Sequence, residues 1–442
     1  MTWNRLISTI PIIMSLLCPL MFEKAWAASF DPLFINQIAI DPKNPQIIYA
    51  AARPQGVLKS TDRGASWHPA REGLKNTSVY YIVIDPMNTK RLYLGTFGGG
   101  IYKTEDGGDS WFEANQGLGN TNIHALLLDP LQPDRLVVST STGELFKTEN
   151  GGKSWDAFNE GLPLFSDEII ANLLFFQNAP PSLFLAQGGL YQRPVSSTAW
   201  QKVEHNLQEQ IITAFVNDAP LRTFFAGTMK AGLFKAVLGL NPMSTKSRLN
   251  WVSIGQRFQK QWVRFVSIDP SNSDVLYVSV VGQGIFKSTN RGESWQEINN
   301  GLSEQQVESL AIDSQDSKLL YAGTHNHGLF ISRDGGKTWN PPERLEVESA
   351  AQIVASLSGQ THAQSQKPRS VPPLSFSKCN GCHGWTDRAL NQKSTFWRVP
   401  PNRRDWRPTV QRMSRGAGLV ASEEEEIIRF LTEYSTQRSE TP

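Results

Sequence analysis

Ser60-Thr61-Asp62-Arg63-Gly64-Ala65-Ser66-Trp67 decides the fold, because the chain writes it four more times. Thr104 to Trp111, Thr148 to Trp155, Ser288 to Trp295 and Ser332 to Trp339 keep the same order of hydroxyl, Asp or Asn, glycine, hydroxyl and tryptophan. Trp200 and Trp251 fill the gap, so successive tryptophans stand 44, 44, 45, 51, 44 and 44 residues apart. Asp41, Asp85, Asp129, Asp269 and Asp313 form a second series, closing apolar runs such as Ile82-Val83-Ile84-Asp85-Pro86. Gly100-Ile101-Tyr102-Lys103 and Gly284-Ile285-Phe286-Lys287 belong to a third. Self-similarity at one fixed period means a repeat architecture.

Each unit reads as four short strands; in the second they are Tyr80 to Ile84, Arg91 to Gly95, Gly100 to Thr104 and Ser110 to Ala114. One such sheet cannot bury both faces alone, but seven set radially can. In the turn, the carboxylate or amide accepts neighbouring backbone N–H groups, glycine takes the positive-φ position, and tryptophan wedges between adjacent sheets. These turns are structural staples rather than catalytic groups. The turn resembles the Asp box, or bacterial neuraminidase repeat, and residues 34–345 resemble the seven-bladed propellers of photosystem II assembly and stability factors. Sialidases share the box but need an Arg-Ile-Pro strand before the first one, and no such strand occurs here. Around Trp200 and Trp251 the Asp–Gly core is gone, so those two blades are expected to be irregular.

With the boxes at one end of the blades, the loops joining second to third strands ring the other. They carry Arg53, Phe97, Lys230, Gln283, His325 and His327, which depart from the repeat and are the candidates for propeller-face binding. His325-Asn326-His327 offers a metal or acid/base site. With no carboxylate close in sequence, solvated histidines are the simpler expectation.

The first 27 residues read as a signal peptide: Arg5, the apolar stretch Leu6 to Phe22, and Ala25-Trp26-Ala27 as the cleavage site. Retained, the same stretch would anchor the chain to a membrane. A net charge of +2 gives no pull toward nucleic acid. Residues 28–345 are then the propeller, 346–373 a Pro-, Ser- and Gln-rich linker, 374–437 a second domain and 438–442 a tail.

That second domain holds Cys379-Asn380-Gly381-Cys382-His383. Two thiols separated by two residues add across the vinyl groups of a haem, and the histidine that follows reaches the iron. A zinc half-site or a redox dithiol also uses C-x-x-C. Zinc needs further ligands, and the only other cysteine is Cys18; a dithiol has no use for His383. Met413, the only methionine of this segment, lies 30 residues beyond His383 and is the expected distal ligand. Trp406 to Met413 resembles the methionine-ligand stretch of small monohaem cytochromes c. Ser422 and Glu425 form a capping box ahead of Ile427, Ile428, Phe430, Leu431 and Tyr434, as in the last helix of that family. Between Lys378 and Arg415 nine Lys/Arg face only Asp387 and Asp405, a basic surface suited to an acidic redox partner.

The expectation is therefore a mainly β chain: a seven-bladed β-propeller followed by a small all-α cytochrome c domain with one covalent haem c. It would be periplasmic, transferring single electrons to a protein redox partner, acidic or membrane-bound. Two other classes compete: an oxidoreductase with a substrate site on the axial face, and an assembly or scaffold factor for a membrane redox complex.

Overall fold

The structure, a computed structural model, describes residues 32–163, 172–177, 181–186, 189–207, 210–237, 248–349 and 352–353. The chain divides into two units, residues 1–360 and 361–442. The second unit lies outside the described residues, and with it Cys379, Cys382, His383 and Met413, as does the stretch read as a signal peptide. Among the described residues no helix is long and apolar enough to cross a membrane.

Blade 1 is β1 (Phe34–Ile40), β2 (Ile48–Arg53), β3 (Gly56–Ser60) and β4 (Ser66–Pro69), paired antiparallel in that order. The inner strands of the next six blades are Val79–Ile84, Ile123–Leu128, Asn172–Phe176, Ile212–Asp218, Val263–Asp269 and Val307–Ile312. Each lies beside the next, and the seventh lies beside β1, so the ring closes with seven blades. Seven apolar clusters fill the seven seams, each drawing on two neighbouring blades: Ile82, Leu94 and Trp111 of blade 2, for instance, pack with Ala51 and Val57 of blade 1. The core is thus distributed between sheets rather than gathered in one place.

Why the tryptophan recurs is now explicit. The Trp111 backbone N–H donates to the Glu72 carbonyl of the preceding blade at 2.9 Å, and its indole N–H to the Ala70 carbonyl at 2.9 Å. Trp155, Trp200 and Trp339 repeat both bonds, to Gln116 and Ala114, Glu160 and Phe158, and Asn300 and Ile298. Gly73, Gly117, Gly161 and Gly301 sit where a Cβ would run into the carbonyl of the next blade's tryptophan, so only glycine permits the approach. Trp200 keeps these contacts although its box is lost, and blade 4 retains four strands. Blade 5 is the irregular one, with a 3₁₀ turn, Gln256–Phe258, after its outer strand and a parallel pairing of Glu204–His205 with Arg248–Leu249.

Inside each box the Asp or Asn side chain is bonded to the flanking hydroxyl residues. Asp106 accepts from the Thr104 hydroxyl at 2.6 Å, the Ser110 N–H at 3.0 Å and the Ser110 hydroxyl at 2.5 Å. Burial works against that charge, but the Ser110 and Thr104 bonds outweigh it and hold the carboxyl at about 2. The next position is left-handed: Gly107, Gly151 and Gly335 in three boxes, but Arg63 and Arg291, both at φ 58°, in two. An arginine is tolerated there because its guanidinium reaches a buried inner-strand carboxylate of the preceding blade. Arg63 lies 3.7 Å from Asp313, and Arg291 3.2 Å from Asp218. These pairs offset a backbone strain of about 1–2 kcal/mol.

Closure is made at both rims of blade 1. Leu33 bridges His327 beside the inner strand, while Arg344–Leu345 adds a parallel strand to the outer edge of β4. This closing strand pairs with Ser66 and Trp67 just before the stretch read as a linker. Beyond it, the buried Gln55 amide clasps Glu348 through both its backbone groups, at 2.6 and 3.1 Å, and Arg71 pairs with the Glu348 carboxylate. Blade 7 has three regular strands, with Asn340 bridging Ile331 at the fourth position.

If the tryptophan locks the seam, Trp111→Ala costs about 3–5 kcal/mol in chemical denaturation of the full chain. A loss under about 1 kcal/mol would show that the seam is held elsewhere.

Candidate functional site at the axial mouth

The inner strands begin, and the second strands end, at the same rim, as the Phe34–Arg53 pairing shows. The boxes lie at the opposite end, each turn tied to the loop between first and second strands, as Gly107 N–H is to the Lys90 carbonyl at 2.8 Å. At the mouth, six of the seven inner strands carry a β-bulge at one register. Pairing skips Asn36, Tyr80, His124, Thr213, Arg264 and Glu308. Each stands five residues before the aspartate that closes its strand. A bulge frees one residue from the alternation of the sheet and re-aims its side chain. A repeat that must fold needs no particular side chain there, and the six chosen are all different.

Hydrogen bonds link this ring around the axis. Asn36 donates to the Val79 carbonyl at 2.9 Å and Thr213 to the Val263 carbonyl at 2.5 Å. Asn172, which opens the inner strand of blade 4, donates to the Ile212 carbonyl at 2.9 Å. Arg264 donates from Nε to Glu308 at 2.7 Å, and Glu308 meets His325 Nδ1 at 3.0 Å.

Beside this pair lies an aromatic and cationic cluster. Arg53 donates to the Tyr80 hydroxyl at 2.7 Å and to Asn36 Oδ1 at 3.2 Å, with its guanidinium 4.3 and 4.9 Å from the Tyr80 and Phe34 ring centres. Phe34 stands edge-on to His325 at 4.9 Å. On the other side Tyr80, Phe97 and His124 follow one another at 6.2 Å. The result is an arc across blades 6, 7, 1, 2 and 3.

The charges in the arc are set by burial and by one another. Burial disfavours the Glu308 carboxylate, but Arg264 and then His325 reverse that and hold it at about 2. Burial pulls Arg53 below its ordinary value, partly offset by Tyr80 and Glu308. It pushes the Tyr80 phenol up, so Tyr80 stays protonated at neutral pH and acts as a hydrogen-bonding group. Arg53 and Arg264 against Glu308 leave the mouth cationic. Among the described residues no group of three His, Cys, Asp or Glu could hold a metal. Chemically the arc can grip a chain by amide, aromatic and cationic contacts.

Of the residues picked from the sequence, Arg53, Phe97 and His325 join the arc. His327 is exposed and pairs instead with Glu304 at 3.2 Å, and Lys230 is exposed at the rim of blade 5. The expectation of loop histidines without carboxylates does not hold. Glu308 and Glu304, 17 and 23 residues earlier, are brought to His325 and His327 by the antiparallel pairing of blade 7. The bulge residues themselves were missed. Their signal was present as the register five residues before each strand-closing aspartate, where six different residue types stand.

A family model described as "Sortilin, neurotensin receptor 3" matches residues 55–163, and the BNR/Asp-box repeat model matches 330–341. No curated protein matches. Among solved structures, YCF48 from Cyanidioschyzon merolae aligns with a TM-score of 0.54 at 13% identity, over 68% of this chain and 95% of that one. YCF48 bound to D1 peptide aligns at 0.51 and 12%, over 68% and 93%. The GH74 enzyme of Niastella koreensis aligns at 0.56 and 17%, over 70% of this chain but only 54% of its own. At these identities the likeness is one of fold. It establishes the class: a seven-bladed propeller built on Asp-box repeats.

Glu308→Gln keeps shape and removes charge. Arg264 is 40% exposed, so water screens the pair and the loss at neutral pH belongs near 1 kcal/mol. A depressed folded pKa means that this contribution is complete above the ordinary glutamate value of 4.5 and is lost as pH falls toward 2. The stability difference between wild type and variant should therefore narrow across that interval. A difference unchanged down to pH 2 would exclude the ion pair as its source.

Proposed function

We propose that this chain is an exported electron-transfer protein in which the propeller recognises a protein partner and the C-terminal segment carries one covalent haem c. The observation behind the recognition half is the bulge register, where six different side chains are aimed at one mouth by a backbone device that folding does not require. A propeller of the same fold has been solved with a peptide bound, which agrees with that role.

The haem half rests on donor chemistry in the sequence. Cys379 and Cys382 would form the thioethers, His383 would take the proximal position and Met413 the distal one. Bound in that way, haem supplies a one-electron couple. The chain's own contribution is to exclude water around it, to orient His383, and to present the basic surface between Lys378 and Arg415 to an acidic partner. The periplasm is the compartment in which a signal peptide and a C-x-x-C-H motif make sense together.

Expression with a periplasmic haem-attachment system tests the first half. One covalent haem by pyridine haemochrome is expected, with the weak long-wavelength band of iron–methionine ligation, and that band should vanish in Met413→Ala. Absence of covalent haem would overturn the electron-transfer reading. A photo-crosslinking residue at Phe97 tests the second: it should capture a partner that the same residue at Asp109, on the box side, does not. Equal capture at both positions would remove the axial mouth from consideration.

A further inference from the structure

A cavity of about 290 Å³ lies at the seam of blades 3 and 4. Its origin is visible by comparing registers. Opposite the third-strand Lys59, Lys103, Lys235 and Lys287 stand Tyr49, Tyr93, Phe225 and Tyr277, and Tyr321 holds the same place in blade 7. In blades 3 and 4 this position is Val137, opposite Lys147, and Leu183, opposite Arg193. At regular seams the tyrosine fills the gap and donates to the next blade's box: Tyr49 to the Gly107 carbonyl at 2.8 Å, Tyr93 to Gly151 at 3.2 Å. At the 3–4 seam both halves of that lock are missing, since Val137 has no hydroxyl and blade 4 has no box. The space the ring would occupy is left open.

What lines the opening is not neutral. Val137, Phe175 and Leu183 give it an apolar floor, while Arg193 and Lys147 flank Phe158. The Arg193 guanidinium lies 3.8 Å from the Phe158 ring centre, and its Nε donates to the Ser197 carbonyl at 3.1 Å. Both contacts fix its direction. The residue is only 9% exposed, yet its terminal nitrogens take no hydrogen-bond or ion-pair partner among the described residues. Lys147 is already satisfied by Glu149 at 2.8 Å. Arg135, Asp129 and Glu149 complete the charged lining, which leaves it with a positive excess. The terminal nitrogens of Arg193 open into the cavity rather than onto a carboxylate, which leaves the guanidinium able to take an anion there. The volume is at the small end of ligand sites.

We propose that this seam is a binding site for a small amphipathic carboxylate, with an aromatic or branched apolar body on Val137, Phe175 and Leu183 and its carboxylate on Arg193. The site is separate from the axial mouth and does not depend on haem. Isothermal titration of the full chain with 3-phenylpropionate tests it, with 3-phenylpropanol as the uncharged control. Saturable binding is expected, about tenfold or more weaker for the alcohol and for Arg193→Met. Val137→Tyr restores the ring that four other blades carry. It should abolish binding without lowering the denaturation midpoint, which guards against a misfolded Arg193 variant. No saturable heat with the acid, equal affinity for the alcohol, or unchanged binding in Val137→Tyr would each overturn the proposal.

Discussion

The propeller depends above all on the grip that a recurring tryptophan, at Trp111, Trp155, Trp200 and Trp339, takes on the blade before it. Its backbone and indole N–H groups reach back to carbonyls of the preceding blade while its ring fills the seam, so a blade is completed only by its neighbour. A sheet of four short strands is marginal alone. The ring is therefore cooperative, and its first seam must be closed by other means. At blade 1 the Arg344–Leu345 strand, with the Gln55 clasp on Glu348, supplies this; the Trp67 indole, like that of Trp295 in blade 6, turns inward to a carbonyl of its own box, Gly64 at 2.9 Å and Gly292 at 3.1 Å.

A scaffold locked in this way leaves its axial rim free to vary. The bulges place a single residue of six inner strands outside the alternation that the apolar core demands, so the side chain there is not constrained to be apolar. Asn36, Tyr80, His124, Thr213, Arg264 and Glu308 are the outcome, with Arg53 bonded to Asn36 and Tyr80, and Glu308 to Arg264 and His325. These bonds hold the side chains of the mouth in fixed orientations. The same separation of scaffold from display explains the cavity beside Arg193, where the lock is relaxed at one seam without loss of the ring.

The likeness to proteins as different as YCF48 and a GH74 enzyme fits this division. What is shared at these identities is the fold, and fold alone does not transmit an activity. For this chain the distinguishing chemistry lies in the C-terminal C-x-x-C-H segment and in the particular set of rim side chains.

The sequence by itself determined the blade count, the box turns and the seam residues, because these obey a period that any reader can count: tryptophans 44 residues apart, glycines at left-handed turns, aspartates at strand ends. It also named Arg53, Phe97 and His325, since loop residues that break a repeat stand out. Tertiary structure alone decided what those residues meet. Glu308 comes to His325 through strand pairing, Asn36 reaches Arg53 from the neighbouring strand and Tyr80 from across a seam, and a bulge turns a residue out of an apolar run, which periodicity in one dimension cannot express. The open seam at Val137 is of the same kind. A valine in a strand is unremarkable by itself, and becomes a cavity only because the neighbouring blade has lost the box that a tyrosine would have met.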